Sequence, residues 1–200
     1  MRYPEYIRVG DKKYKLNTSY LNAIECFRII GDDTIGDTER GMAIMQKLIG
    51  EVVLDESSGE ILTLLIQYLQ RGKSVREMEE MMSLQGNEDP DIDYSQDFGY
   101  ITASFISDYR IDLSDPENDS MHWWKFVDLL NGCNPKSAIG RVRVLRNMDP
   151  SDYKDPKARA QLIKAQTMVA LKPKMTESER QADEAFMALL AGKGNQIDPK

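Results

Sequence analysis

The chain has 200 residues, of which 26 are basic and 33 acidic, so its formal net charge is −7. Hydrophobic residues make up 41% and charged residues 30%, a balance typical of a folded globular protein rather than a disordered or membrane-embedded one. The acidic excess repels phosphate backbones and so disfavours general nucleic-acid binding. The N-terminal residues contain no apolar segment of the kind found in signal peptides, and the sequence has no run of about 18 apolar residues, so we expect neither a signal peptide nor a membrane span.

The N-terminal residues predict a small β-hairpin followed by helices. Tyr6–Val9 and 14–16 are short alternating runs on either side of Gly10, which favours a tight turn. Apolar residues then recur every three or four positions, the spacing of amphipathic helices. The first helix is predicted at 20–30, after the caps Asn17 and Thr18, and Gly31 ends it. Three more are predicted at 37–49, 56–71 and 74–82.

The rest of the chain also predicts helices. Residues 86–93, rich in glycine, proline and acids, predict an exposed connection. The following helices are predicted at 94–109, 122–131, 137–146, 155–171 and 176–190. We therefore predict a mainly α-helical, bundle-like fold with a short N-terminal β-hairpin and a C-terminal helical extension. Its predicted regions are 1–85, 86–150 and 151–200.

Reactive side chains are scarce in this sequence. His122 is the sole histidine and lies among apolar neighbours, so we expect a structural role for it. Cys26 and Cys133 are distant from each other and form no CxxC pair, which predicts neither a disulfide nor a zinc site. We expect no cofactor and no nucleophilic catalysis.

Acidic residues raise two metal hypotheses. Asp89, Asp91 and Asp93 have the spacing of a calcium loop, but tyrosines stand where that loop needs glycine and glutamate. A magnesium-dependent nuclease would instead use Asp91, Asp93 and Asp97, although no partner motif accompanies them. A solvated acidic loop is the favoured interpretation.

Three kinds of side chain are candidates for binding a partner protein. Methionines adapt their shape to varied partners, tryptophans are common at binding centres, and an acid-free basic stretch occupies 136–146. The candidates are Met78, Met81, Met82, Trp123, Trp124, Arg141 and Arg143. For the tryptophans, one ring is expected in the core and the other at an interface.

Charge is distributed unevenly along the chain. Residues 86–119 contain ten acids and one base, Arg110, so the remainder of the chain is slightly basic. We hypothesise that this acidic segment attracts the basic helix at 136–146 of another copy, or a basic helix of a partner.

Four segments of the central region resemble a known phage family. They are YSQD at 94–97, YITASF at 100–105, YRIDL at 109–113 and MHWWKF at 121–126. The chain is similar to the small proteins of long-tailed phages of Gram-positive hosts that are encoded just ahead of the tape-measure protein. Those proteins are regarded as tail assembly chaperones. The likeness is specific from 94 to 132, with departures at Gly99 and Cys133.

The resemblance implies a mainly helical, non-catalytic protein that coats the tape-measure protein and helps to recruit tail-tube subunits. It also implies self-association, action in the host cytoplasm and absence from the mature virion. It carries over no catalytic residue, cofactor or membrane partner. Two alternatives stay open: a structural connector or tail-completion protein retained in the virion, and the metal-dependent nuclease.

Overall fold

The computed structural model describes residues 2–73, 77 and 91–172. Within them the chain forms one two-stranded hairpin and seven α-helices, which confirms the predicted fold class. The elements are β1 (Tyr6–Val9), β2 (Lys12–Lys15), α1 (Tyr20–Ile30), α2 (Asp37–Ile49), α3 (Ser58–Leu69), α4 (Phe98–Tyr109), α5 (Trp123–Asn131), α6 (Ala138–Arg146) and α7 (Pro156–Val169), with 3-10 turns at Pro116–Asn118 and Pro150–Asp152. The helices predicted at 74–82 and 176–190 lie outside the described residues.

The hairpin forms where the alternating pattern predicts it. Strands β1 and β2 are antiparallel, and Gly10 supplies the positive φ of 56° that the tight turn needs. Val9 and Tyr14 are buried on the inward face and Ile7 is half-buried there. The hairpin therefore covers one end of the helical core.

Helix α1 has the predicted bounds but a different cap. The residues expected to cap it are used elsewhere: the N–H of Asn17 donates to the carbonyl of Leu48 at 2.7 Å, and the carbonyl of Thr18 accepts from Trp123 N–H at 2.7 Å. Ser19 is the actual cap, and its Oγ accepts from the N–H of Leu21 at 3.3 Å. Backbone contacts with distant elements thus place the cap one residue beyond Thr18.

Three helix boundaries differ from prediction. Helix α3 covers Ser58–Leu69 rather than 56–71, and α4 begins at Phe98 because the preceding residues form turns. Helix α7 ends at Val169, two residues before the predicted end. By contrast, α2 has the predicted bounds and ends at Gly50, whose φ of 75° is the left-handed conformation typical after a helix.

Aromatic side chains from three helices form the centre of the core. Phe126 of α5 stacks on Tyr20 of α1, with ring centroids 4.8 Å apart, and lies 5.3 Å from Phe105 of α4. All three are fully buried. The core therefore joins elements on both sides of the acidic connection, and the division into 1–85, 86–150 and 151–200 stays a prediction.

Helix α7 packs on α6 mainly through polar bonds. Leu162 is its one buried residue within the described part of the chain. The side-chain amide of Gln166 donates to the carbonyls of Leu145 at 3.0 Å and Met148 at 2.7 Å. Among the described helices none has the length and apolar character needed to cross a bilayer.

Candidate functional site

The two adjacent tryptophans of α5 hold the end of α3. Trp123 is only 1% exposed and donates its indole N–H to the carbonyl of Leu69 at 2.9 Å. Trp124 is half-buried and donates in the same way to Tyr68 at 2.9 Å. Because the last carbonyls of a helix lack partners within it, Trp123 satisfies a group that would otherwise be unpaired, whereas the Tyr68 carbonyl also accepts from Arg71 N–H at 3.1 Å. Of these two candidates, Trp124 retains exposed surface.

His122 has the structural role expected of it. Its Nδ1 accepts from the backbone N–H of Trp124 at 3.0 Å, which caps the start of α5. Its Nε2 lies 2.9 Å from the carbonyl of Pro4, so the hydrogen-bond network assigns the proton to Nε2. The imidazole therefore joins the segment before β1 to α5, and both ring nitrogens are used.

The outer side of Trp124 is partly covered by an ion pair. Arg71 lies just after α3 with a φ of 61°, and its guanidinium pairs with Asp128 and lies 5.9 Å from the Trp124 ring. The hydroxyl of Tyr3 donates to the same carboxylate at 2.8 Å, a hydrogen bond that raises the pKa of Tyr3. This polar cluster narrows the surface that Trp124 offers to a partner.

A second ion pair lies buried between α4 and α6. Both carboxylate oxygens of Asp97 accept from the Arg146 guanidinium, at 2.7 and 2.8 Å, and Asp97 is only 1% exposed. Arg146 also donates to the carbonyls of Asp91 at 2.8 Å and Val169 at 2.7 Å. The hydrogen bonds to Asp97 raise the pKa of the Arg146 guanidinium.

The acids of the nuclease hypothesis all have partners within the chain. Asp91 accepts from Arg143 Nε at 2.7 Å, while Asp97 is held by Arg146. Asp93 accepts from two backbone N–H groups of the following turn, at 2.9 and 2.8 Å. Within the described ranges no three His, Cys, Asp or Glu residues are arranged to hold a metal ion. A cation here would have to displace arginines.

These pairs also revise the charge hypothesis. The acidic segment and the basic helix do attract one another, but the observed pairs of Asp91 with Arg143 and Asp97 with Arg146 form within one copy. Arg143 is therefore partly engaged, although its side chain stays about one third exposed. Arg141 points to solvent and remains available.

Exposed apolar side chains accompany Arg141 on the two C-terminal helices of the described chain. Arg141, Val144 and Met148 are three and four positions apart, which places them on one side of α6 and its end. Val144 is 50% exposed and Ile163 of α7 is 49% exposed. We call Arg141, Val144, Met148 and Ile163 the α6–α7 surface. The sequence analysis selected Arg141 and missed the other three residues. They could have been found as apolar residues that lie outside the core-facing side of their helices.

The methionine candidates cannot be placed in this way. Met78, Met81 and Met82 lie outside the described residues. Among the methionines that are described, Met45 lies in the core, whereas Met168 at the end of α7 is 78% exposed. Among the described residues, the exposed methionines Met148 and Met168 thus lie toward the C-terminal end.

Neither cysteine is suited to nucleophilic chemistry. Cys26 is buried, and burial raises the pKa of its thiol to about 12. Burial also raises the pKa of the Cys133 thiol, with the nearby carboxylate of Asp108 adding to the effect. Because the thiolate is the reactive form, both groups are poor nucleophiles at neutral pH.

The described residues thus form a helical scaffold with exposed apolar side chains on α6 and α7 and a buried Asp97 carboxylate that is paired with Arg146. The chain belongs to the family described as Bacteriophage Gp15 protein, whose family model matches residues 3–171. That span includes every described element and the segments that resemble phage proteins, and it confirms the expected bacteriophage origin. No curated protein and no solved structure gives a match.

Proposed function

We propose that this phage protein is a tail assembly chaperone that binds the tape-measure protein and helps to recruit tail-tube subunits. It acts without catalysis, in the host cytoplasm, and is absent from the mature virion. The observation that carries this proposal is the exposed α6–α7 surface on a scaffold whose buried charges are already paired.

The α6–α7 surface suits an amphipathic helical partner. Val144 and Ile163 offer apolar contacts, and Met148 offers a flexible side chain that adjusts to different partner residues. Arg141 at the rim can pair with an acidic residue of the bound helix. A long tape-measure protein presents many such helices, so an adaptable surface serves it better than a rigid pocket.

The internal ion pairs support a non-catalytic role. Catalytic carboxylates need a free lone pair for a metal or a proton, whereas the carboxylate of Asp97 is occupied by Arg146 on both oxygens. Asp91 is likewise engaged by Arg143. These contacts argue against the nuclease alternative.

Mass spectrometry of purified phage particles tests the proposal against a connector or tail-completion role. We expect peptides of this protein in lysates of infected cells and none at stoichiometric abundance in finished particles. Recovery at a fixed number of copies per particle, comparable with other tail components, would overturn the chaperone proposal and favour a protein retained in the virion.

A further inference from the structure

The outward face of the N-terminal hairpin is basic. Side chains alternate between the faces of a strand, so Tyr6 and Arg8 of β1 lie on the same face as Lys13 and Lys15 of β2. All four are exposed, whereas the neighbouring Val9 is buried on the other face. We call Tyr6, Arg8, Lys13 and Lys15 the hairpin face.

The charges of the hairpin face are only partly used by the fold. Arg8 lies directly opposite Lys13 in the strand register, a like-charge pairing that destabilises a sheet. Lys13 lies over the Tyr6 ring, 3.7 Å from its centroid, a favourable cation–π contact that leaves Tyr6 42% exposed. Within the part of the chain that the structure describes, Arg8, Lys13 and Lys15 form no ion pair. Three bases without an acidic partner in the fold form a surface available to an anionic partner.

The loop between α4 and α5 carries the complementary charge. Residues 112–119 contain four exposed acids and no base. Asp112 and Asp115 accept hydrogen bonds from local serine and backbone groups, which shape the loop without neutralising it. No ion pair to these acids occurs among the described residues. The acids at 91 and 97, by contrast, are neutralised within their own copy.

The loop is held in a fixed position. The hydroxyl of Ser19 donates to the backbone carbonyl of Asp119 at 2.6 Å. The hydroxyl of Tyr20 donates to the backbone carbonyl of Leu113 at 3.2 Å. The loop is thus tied to the start of α1, and its acids do not pair with the hairpin face of the same copy. A preformed acidic surface and a preformed basic surface are available on every copy.

We infer that the hairpin face binds the acidic loop at 112–119 of a second copy of this chain. This inference rests on the proposed chaperone function and on the self-association that the phage resemblance implies, and it names the surfaces that would produce it. A nucleic acid is the less suitable anion, because the net charge of −7 repels a phosphate backbone from the molecule as a whole. Charge complementarity between the two surfaces sets the orientation of neighbouring copies.

Charge reversal on each surface tests this inference in the full-length protein. One variant carries Arg8→Glu and Lys13→Glu, and the other carries Asp115→Lys and Glu117→Lys. We expect each variant alone to associate roughly tenfold more weakly than the wild type in sedimentation velocity. We expect an equimolar mixture of the two variants to restore association. In the mixture the acidic hairpin face of one variant meets the basic loop of the other, and the basic hairpin face of the second meets the acidic loop of the first. Wild-type association weakens as salt rises.

The control reverses two exposed bases elsewhere, Lys125→Glu and Lys154→Glu, with the same change in net charge as the hairpin variant. It is expected to associate like the wild type, and circular dichroism verifies that every variant is folded. A monomeric wild type, or association by each variant at the wild-type level, would overturn the inference. So would a hairpin variant that loses binding to a single-stranded oligonucleotide probe while associating normally. None of these results bears on binding of the tape-measure protein, which is measured separately.

Discussion

The carboxylate of Asp97 and the guanidinium of Arg146 form a two-point ion pair between the start of α4 and the end of α6, with N···O distances of 2.7 and 2.8 Å. Arg146 also binds the carbonyls of Asp91 and Val169. One arginine thus ties together four segments, and it holds the end of α7 beside the α6–α7 surface.

Replacing Arg146 should destabilise the protein strongly. Arg146→Met leaves the carboxylate of Asp97 buried without its partner, and breaking such a pair costs about 3–5 kcal/mol. Urea unfolding measures the difference. Arg141→Met is the matched control on the same helix, because Arg141 is exposed, and it should change stability by less than about 0.5 kcal/mol. Equal effects of the two substitutions would contradict the account of this pair.

The two nitrogen contacts of His122 can be separated by substitution. His122→Ala removes the cap of α5 and the bond to Pro4, so a loss of about 1–3 kcal/mol is expected. His122→Asn keeps a side-chain acceptor suited to a helix N-cap and should lose less. The comparison uses thermal unfolding, and an Asn variant no more stable than the Ala variant would show that the cap contributes little.

Loss of the indole N–H donor should lower the free energy of unfolding more at Trp123 than at Trp124. Trp123→Phe leaves the buried carbonyl of Leu69 unpaired, which costs about 1–3 kcal/mol in addition to lost packing. In Trp124→Phe the carbonyl of Tyr68 still accepts from Arg71 N–H at 3.1 Å, and the ring is already half-exposed. Chemical denaturation measures the stability of both variants. A Trp124→Phe variant less stable than the Trp123→Phe variant would contradict the observed hydrogen bonds.

Cys26 should report unfolding through its reactivity and its ionisation. Burial raises the pKa of its thiol from 9.0 to about 12, so at pH 8 it stays protonated and reacts slowly with a disulfide reagent until the chain unfolds. Between pH 9 and pH 12 the unfolded chain ionises this thiol and the folded chain does not, so stability falls as pH rises through that range. Cys26→Ser should remove this part of the pH dependence. Rapid labelling of Cys26 in the folded protein would contradict its burial.

Local patterns predicted much of the fold and little of the candidate site. The hairpin and α2 follow from alternation, helical spacing and the glycines that end each element, all of which act over a few residues. The cap of α1 was misassigned because Asn17 and Thr18 bind distant backbone groups. The Asp97–Arg146 pair joins residues 49 positions apart, a separation at which local spacing carries no signal.

We propose above all that the α6–α7 surface binds the tape-measure protein. The most direct measurement is the soluble fraction of that protein when it is co-expressed with this chain. We expect the wild type to keep it soluble and to co-purify with it, whereas Val144→Asp with Met148→Asp should abolish both effects because a carboxylate disfavours apolar docking. Leu54→Asp, at an apolar residue that is 75% exposed between α2 and α3, is the control and should behave like the wild type. An insoluble tape-measure protein beside the soluble wild-type chain would contradict the claim.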